Sequence, residues 1–189
     1  MHTPAPCPTA HKALFLDRDG VVINYIPYLG RPHQVQIPRD AGPALKQWQE
    51  AGYLLIIITN QAGIGRGYFS VSDVQAIHHR LAELYRPFGV EFTDIFLCPH
   101  HPEDACDCRK PSPQMLFEAA EQYDIDLGQS YFLGDAPSDL HAAIQAGCQP
   151  LLVRTGRGQE TEAKLAQFSQ AIPVFDQVSD TVCLLRAHG

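Results

Sequence analysis

The chain reads as an α/β protein, a three-layer Rossmann-like parallel sheet with helices on both faces, and three observations in its 189 residues predict this. Short apolar runs alternate with stretches of helical length along most of the sequence. The run at 53–59, Tyr-Leu-Leu-Ile-Ile-Ile-Thr, is almost unbroken, as a central parallel strand covered on both faces requires. Asp17, Thr59 and Asp135 end three different runs, and open parallel sheets gather ligands beyond the carboxyl ends of their strands.

Taken in order, the first strand is expected at 13–17. An irregular segment follows over 20–40, punctuated by Pro27, Gly30, Pro32 and Pro38. A helix at 42–50 comes next, with Asp40 as its cap and Leu45 and Trp48 on its buried side. After the strand at 53–59, Gly63, Gly65 and Gly67 predict a flexible loop that lets the backbone approach a ligand closely. The pattern then gives a helix at 72–85, a strand at 94–97, a helix at 112–123 and a short strand at 131–133 leading into Gly134-Asp135. A helix over about 138–146 stops at Gly147, and a fifth strand covers 150–154. A helix, a short strand near Val174 and a final helix carrying Leu184 and Leu185 complete the chain. Residues 1–10 are expected to form a flexible lead-in and 11–189 a single domain. No stretch between the first three strands is long enough for a separate cap domain, so the site should be open.

Composition narrows the function classes. No apolar run is long enough to span a membrane, and no membrane partner is expected. A formal net charge of −7 argues against nucleic acid, whose phosphates need a basic face. A small anion remains possible, because local arginines and a cation can reverse the sign inside a pocket. Residues 1–12 lack the charged-then-apolar pattern of a signal peptide, which makes the cytoplasm the expected location; a monomer is the expected state.

The chemistry starts at Asp17-Arg18-Asp19-Gly20, directly behind the first apolar run. Two carboxylates at i and i+2 can share a divalent cation, and one can attack phosphorus. Phosphoryl transfer needs an in-line nucleophile, positive charge around the equatorial oxygens and an acid for the leaving alcohol. Asp17 is the candidate nucleophile and Asp19 the candidate acid for the leaving oxygen and base for water. Thr59 and Lys110 offer a hydroxyl and an ammonium to the transferring group. Mg²⁺ prefers a few carboxylates plus water and phosphate; Asp17 and Asp135 can supply side chains, the Asp19 carbonyl a third ligand, and Asp139 can hold a metal-bound water. Arg18 receives no role.

Three of the six cysteines fall within eleven residues, where Cys98-x-His100 and Cys106-x-Cys108 make a four-ligand set of the kind that binds structural zinc over 98–108. His101 competes with His100, and the spacing admits either. Cys7, Cys148 and Cys183 read as ordinary thiols, the last two as buried ones. His78 and His79 read as solvated helix residues, and His33 as a loop residue without a partner.

The motifs Asp17-Arg18-Asp19-Gly20, Thr59-Asn60, Arg109-Lys110-Pro111 and Gly134-Asp135, in this order, resemble the haloacid dehalogenase superfamily of phosphohydrolases over roughly residues 13–156. Within it, Tyr28-Leu29-Gly30, Thr59-Asn60-Gln61, Gly63-Ile64-Gly65-Arg66-Gly67 and Cys98-Pro99-His100-His101 are similar to the heptose bisphosphate phosphatases. That resemblance implies a Mg²⁺-dependent phosphatase working through an aspartyl phosphate on a small phosphorylated sugar. The expected substrate is D-glycero-D-manno-heptose 1,7-bisphosphate, cleaved at its 7-phosphate. It also implies zinc on the Cys/His set, substrate recognition by Arg109, and further substrate contacts from Tyr25, Tyr28, Asn60, Gln61 and Arg66. Ala136, Tyr25 and Pro27 depart from the family pattern, which leaves histidinol phosphate as an alternative substrate. A catalytically silent zinc protein that binds partners is the alternative of a different class.

Overall fold

The computed structural model describes residues 10–188, so Cys7 and nearly all of the expected lead-in lie outside the described residues. Six strands form one parallel sheet: β1 (Lys12–Leu16), β2 (Tyr53–Asn60), β3 (Asp94–Cys98), β4 (Tyr131–Gly134), β5 (Gln149–Val153) and β6 (Val174–Phe175). Their order is β3-β2-β1-β4-β5-β6. The helices are α1 (Ala41–Glu50), α2 (Ala62–Gly65), α3 (Val71–Tyr85), α4 (Gln114–Tyr123), α5 (Pro137–Ala146) and α6 (Gly158–Glu162).

Side chains alternate across a strand, so each inner strand feeds two cores. Leu14 and Leu16 of β1, with Leu55 and Ile57 of β2, pack beneath α1 and α3 against Leu45, Trp48, Ile77 and Leu81. Ala13 and Phe15, with Ile56 and Ile58, pack on the other side against Met115, Leu116, Ala142 and Ala143 of α4 and α5. Double coverage is the physical reason for the unbroken apolar run in β2. The strand order reverses between β1 and β4, and that switch point opens a crevice beyond their carboxyl ends. Asp17 and Asp135 are the first residues past those two strands.

Several expectations are corrected. The glycine-rich stretch after β2 is the short helix α2, and its glycines admit protein instead of ligand. Gly63 has the Phe69 ring lying against its Cα, and a Cβ on Gly65 would run into the backbone nitrogen of His101. Asp40 makes no side-chain bond to the first turn of α1. The capped helix is α3, where Ser70 accepts from the Asp73 N–H (3.2 Å) and Asp73 returns a bond to the Ser70 N–H (2.7 Å). The last helix is a 3₁₀ run, Val178–His188. Cys148 is buried as expected, but Cys183 is exposed. No helix among the described residues is long and apolar enough to cross a membrane.

Trp48 ties the C-terminal 3₁₀ run to the sheet. Its ring meets Tyr53 and Tyr131 edge-on at 4.7 and 5.4 Å, and its Nε1 donates to Thr181 Oγ1 at 3.0 Å, with Trp48 and Thr181 fully buried. Replacing it by phenylalanine removes one buried hydrogen bond and leaves a void at the end of the sheet away from Asp17. Trp48→Phe should therefore lower stability by about 2 kcal/mol in urea titration while leaving turnover unchanged.

Candidate active site

Asp17 is placed by the sheet itself, since its N–H donates to the Leu133 carbonyl of β4 at 3.0 Å. The chain then turns at Gly20, whose φ of +92° suits glycine. A Cβ on Gly20 would collide with the Asp135 carboxylate, and one on Gly156 (φ +58°) would strike the same group. Asp135 thus sits between two glycine turns that no larger residue could make. Its Oδ2 accepts from the Arg157 N–H at 2.7 Å, and its carbonyl accepts from Thr161 Oγ1 at 2.7 Å.

Lys110 joins the two halves. Its Nζ donates to Asp17 Oδ1 (2.7 Å), Asp139 Oδ1 (2.8 Å) and the Ile58 carbonyl (2.7 Å), which uses all three ammonium donors. The other Asp139 oxygen accepts from the N–H groups of Asp135 (3.2 Å) and Ala136 (3.0 Å), closing the first turn of α5. Asn60 clasps the Lys110 backbone from both sides, Nδ2 to carbonyl and N–H to Oδ1, each at 3.0 Å.

Carboxylate oxygens of Asp17, Asp135 and Asp139 lie within 4.8 Å of one another, all buried. Three carboxylates against one ammonium leave a balance of two negative charges. Burial, then Asp139 and Asp19, hold the Asp17 carboxyl up at about 7 against the pull of Lys110. Burial, then Asp17 and Asp139, push Asp135 to about 8 despite the Arg157 N–H. Burial opposes the charge on Lys110, but Asp139 and Asp17 outweigh it and raise its pKa. An oxygen-rich buried pocket short of two positive charges fits a divalent hard cation. Asp139 lies within reach of the same place, with one oxygen on Lys110 and the other on two backbone N–H groups, whereas the Asp19 carboxylate turns to Arg18 and Gln61.

The cleft above these groups measures about 280 Å³. Of the residues predicted to contact substrate, Tyr25, Tyr28, Asn60, Gln61 and Arg109 line it. Arg66 does not; it is exposed outside the lining. Thr59 is buried below the cleft and accepts from Gln61 Nε2 at 2.8 Å. The amides of Asn60 and Gln61 are engaged by protein groups, so these two residues build the wall of the cleft. Arg109 Nη1 is buried without a hydrogen-bond partner, an unmet donor beside the cleft.

The sequence reading missed the loop after β5. Thr155 Oγ1 donates to the Gly20 carbonyl at 2.6 Å, Gly156 closes on Asp135, and Arg157 joins the lining. The available signal was a glycine pair, Gly156 and Gly158, just past a fifth parallel strand. Arg18, left without a role, is 1% exposed and paired with Asp19. His78 is half-buried against it, not solvated.

A second cluster borders the site. Cys98 Sγ lies 3.7 Å from Cys106 Sγ and 3.5 Å from His100 Nδ1, and His100 Nδ1 lies 3.2 Å from Cys108 Sγ. Tetrahedral bonds of usual length to one zinc ion would set sulfurs about 3.8 Å apart and sulfur to nitrogen about 3.5 Å. His100 is the imidazole in the set, while His101 Nδ1 accepts from the Glu103 N–H at 3.2 Å. Burial and the neighbouring Cys98 and Cys106 push the Cys108 thiol up to about 12, while hydrogen bonds from Arg109 and the other thiols lower that of Cys106 against its burial.

Comparison with known proteins agrees with this geometry. The family model described as HAD-hyrolase-like matches residues 107–181. A D-glycero-beta-D-manno-heptose-1,7-bisphosphate 7-phosphatase of Pseudomonas putida is 45% identical over 156 residues, covering 81% of this chain and 88% of that protein. A D-glycero-alpha-D-manno-heptose-1,7-bisphosphate 7-phosphatase of Photorhabdus laumondii is 40% identical over 77% of this chain and 84% of its own. Among solved structures, the D,D-heptose 1,7-bisphosphate phosphatase of B. bronchiseptica, complexed with magnesium and phosphate, superposes with a TM-score of 0.86. That pair is 35% identical and covers 94% of this chain and 99% of the other.

The charge balance predicts how a cation stabilises the fold. Asp17 and Asp135 have folded pKa values of about 7 and 8, above the 3.8 of a free carboxyl. Above pH 4 or so the unfolded chain therefore binds fewer protons than the cation-free folded chain, and stability falls as pH rises through about 8. A cation takes the protons' place, so its benefit grows over the same window. Melting temperature should rise on adding Mg²⁺ far more at about pH 8 than at about pH 5, whereas an equal rise at both would contradict the assignment.

Proposed function

The chain belongs to the haloacid dehalogenase-like heptose bisphosphate phosphatases, and from that premise we propose how its own residues carry out phosphate ester hydrolysis. One observation supports the assignment of roles above all. Lys110 holds one oxygen of Asp17 at the switch point and leaves the other for phosphorus, with Asp19 on the same turn.

Asp17 and Asp135 are the residues that would hold Mg²⁺, with Asp19 able to add its carbonyl and Asp139 beside them, bonded to Lys110 and the first turn of α5. When bound, the ion supplies positive charge to the phosphate oxygens and to the buried carboxylates. The free Asp17 oxygen attacks phosphorus, and the bond from phosphorus to the leaving oxygen breaks. Asp19 gives its proton to that oxygen, releasing the alcohol and leaving an aspartyl phosphate. Water then attacks the same phosphorus and returns a proton to Asp19. The Asp17–phosphorus bond breaks, and inorganic phosphate and both carboxyl groups are recovered. Lys110 steadies Asp17 throughout, and the Thr59 hydroxyl lies at the floor beneath it. Arg109, with an unmet buried donor, and Arg157 are the cations without an acidic partner in the lining; they suit the phosphorylated sugar.

The substrate favoured is D-glycero-D-manno-heptose 1,7-bisphosphate, cleaved at the 7-phosphate. Relatives acting on either anomer support the sugar and leave the anomer to experiment. A panel of both anomers, fructose 1,6-bisphosphate and histidinol phosphate, ranked by kcat/KM with Mg²⁺, tests it. A heptose bisphosphate should lead, and a lead for histidinol phosphate would reassign the substrate. Asp17→Asn should lose at least about a thousandfold in kcat.

We also propose zinc on Cys98, His100, Cys106 and Cys108, acting as a structural clip. The Cys98 carbonyl accepts from the Gln61 N–H at 2.8 Å and the Pro99 carbonyl from the Gly65 N–H at 2.9 Å, so the clip is bonded to the α2 turn. Its last ligand immediately precedes Arg109 and Lys110. Cys106→Ser should lose the bound zinc in elemental analysis and most of the turnover with it; full zinc content in that variant would rule the clip out.

A further inference from the structure

Asp19 is held by a buried device that the mechanism so far leaves unused. Arg18 grips it with two nitrogens, Nε to Oδ2 at 3.0 Å and Nη2 to Oδ1 at 3.0 Å. Gln61 Oε1 accepts from the same Nη2 at 2.9 Å, while its Nε2 donates to Asp19 Oδ2 at 2.9 Å. The third guanidinium nitrogen, Nη1, lies 3.4 Å from His78 Nε2, which α3 brings in from 60 residues away. Arg18 is almost completely buried, and no further carboxylate touches it among the described residues.

The oxygens of Asp19 are thereby made unequal. Oδ2 receives both Arg18 and Gln61, while Oδ1 receives Arg18 alone and keeps a lone pair open. A carboxylate so held has one working oxygen, Oδ1, open to a proton from water. His78 can oppose Nη1 only as a neutral acceptor. Burial and the nearby guanidinium keep it so, with its pKa lowered to about 4.

We propose that Arg18 is a positioning residue for Asp19, and that His78 sets its hold so that Asp19 Oδ1 serves the water step. The proposal rests on the phosphatase reading above. The step it concerns is hydrolysis of the aspartyl phosphate: water oxygen bonds to phosphorus, its proton passes to Asp19 Oδ1, and the Asp17–phosphorus bond breaks. The same residues have no comparable part in the first half when the leaving group needs no proton.

Rapid mixing with p-nitrophenyl phosphate and Mg²⁺ separates the halves, because p-nitrophenolate departs without an acid. In His78→Phe the burst of p-nitrophenolate should keep the wild-type rate, while steady turnover falls about tenfold. His78→Gln, which restores an acceptor toward Nη1, should return turnover to within about twofold of wild type. Burst and turnover falling together would overturn the proposal as a general loss of structure, and unchanged turnover in His78→Phe would overturn the part given to His78. Arg18→Lys, which keeps the charge and loses the two-nitrogen grip, is read by the same assay and decides the matter if the phenylalanine variant does not fold. A wild-type protein releasing no p-nitrophenolate would overturn the phosphatase reading, and the proposal with it.

Discussion

The ammonium of Lys110, fully enclosed and bonded to Asp17, Asp139 and the Ile58 carbonyl, is the contact on which the site depends. It draws together residues from the ends of β1 and β2, the loop behind β3 and the first turn of α5. Each of those groups is costly to bury alone, since a charge removed from water must be met by another charge or by hydrogen bonds. Lys110 meets two carboxylates and Asp139 meets two backbone N–H groups, so the charges hold one another in place. The arrangement remains two positive charges short, which keeps a place for a cation.

Positioning Lys110 is therefore a task for the rest of the chain. Asn60 grips its backbone from β2, and the Cys/His loop ends one residue before Arg109. That loop carries little apolar surface, and the exposed residues 102–105 bury nothing that would fold it. Four ligands converging on the proposed zinc would supply the order that packing does not. The glycines of α2 complete the joint, because Gly65 lets the helix lie against His101 with no side chain between.

How much of this could be read in the residues follows from the range of the forces involved. The strands and helices were legible because periodicity and apolar runs are local, and the ends of strands gave Asp17, Thr59 and Asp135 through a rule about parallel sheets. The Cys/His set was legible from spacing, although choosing His100 over His101 needed the fold of the loop. What escaped depends on partners far away in sequence. Arg18 looked like a spacer between two acids until His78 and Gln61 were placed around it. Arg66 looked like a substrate contact by its motif, but α2 turns it outside the lining. Gly63 and Gly65 looked like freedom for a ligand and are in fact room for Phe69 and the neighbouring loop.

Charge bookkeeping also orders the events at the site. With all three carboxylates ionised, an arriving phosphate dianion would meet a pocket already carrying two uncompensated negative charges, screened weakly because the groups are buried. A divalent cation would bring that balance to zero, and only then could Arg109 and Arg157 of the lining act on a phosphate unopposed. The two binding events are thus coupled in sign: each makes the other more favourable, as linkage requires. The open cleft is compatible with this order because exclusion of water is not required for a reaction that ends in hydrolysis. A transfer to a second alcohol would need a cover, and the segment between β1 and α1 contains only a 3₁₀ turn, Pro32–Gln34, with no element large enough to make one. Water would therefore reach the proposed aspartyl phosphate freely, and the burden of speed would fall on the residue that accepts its proton, which Arg18 and Gln61 hold in place.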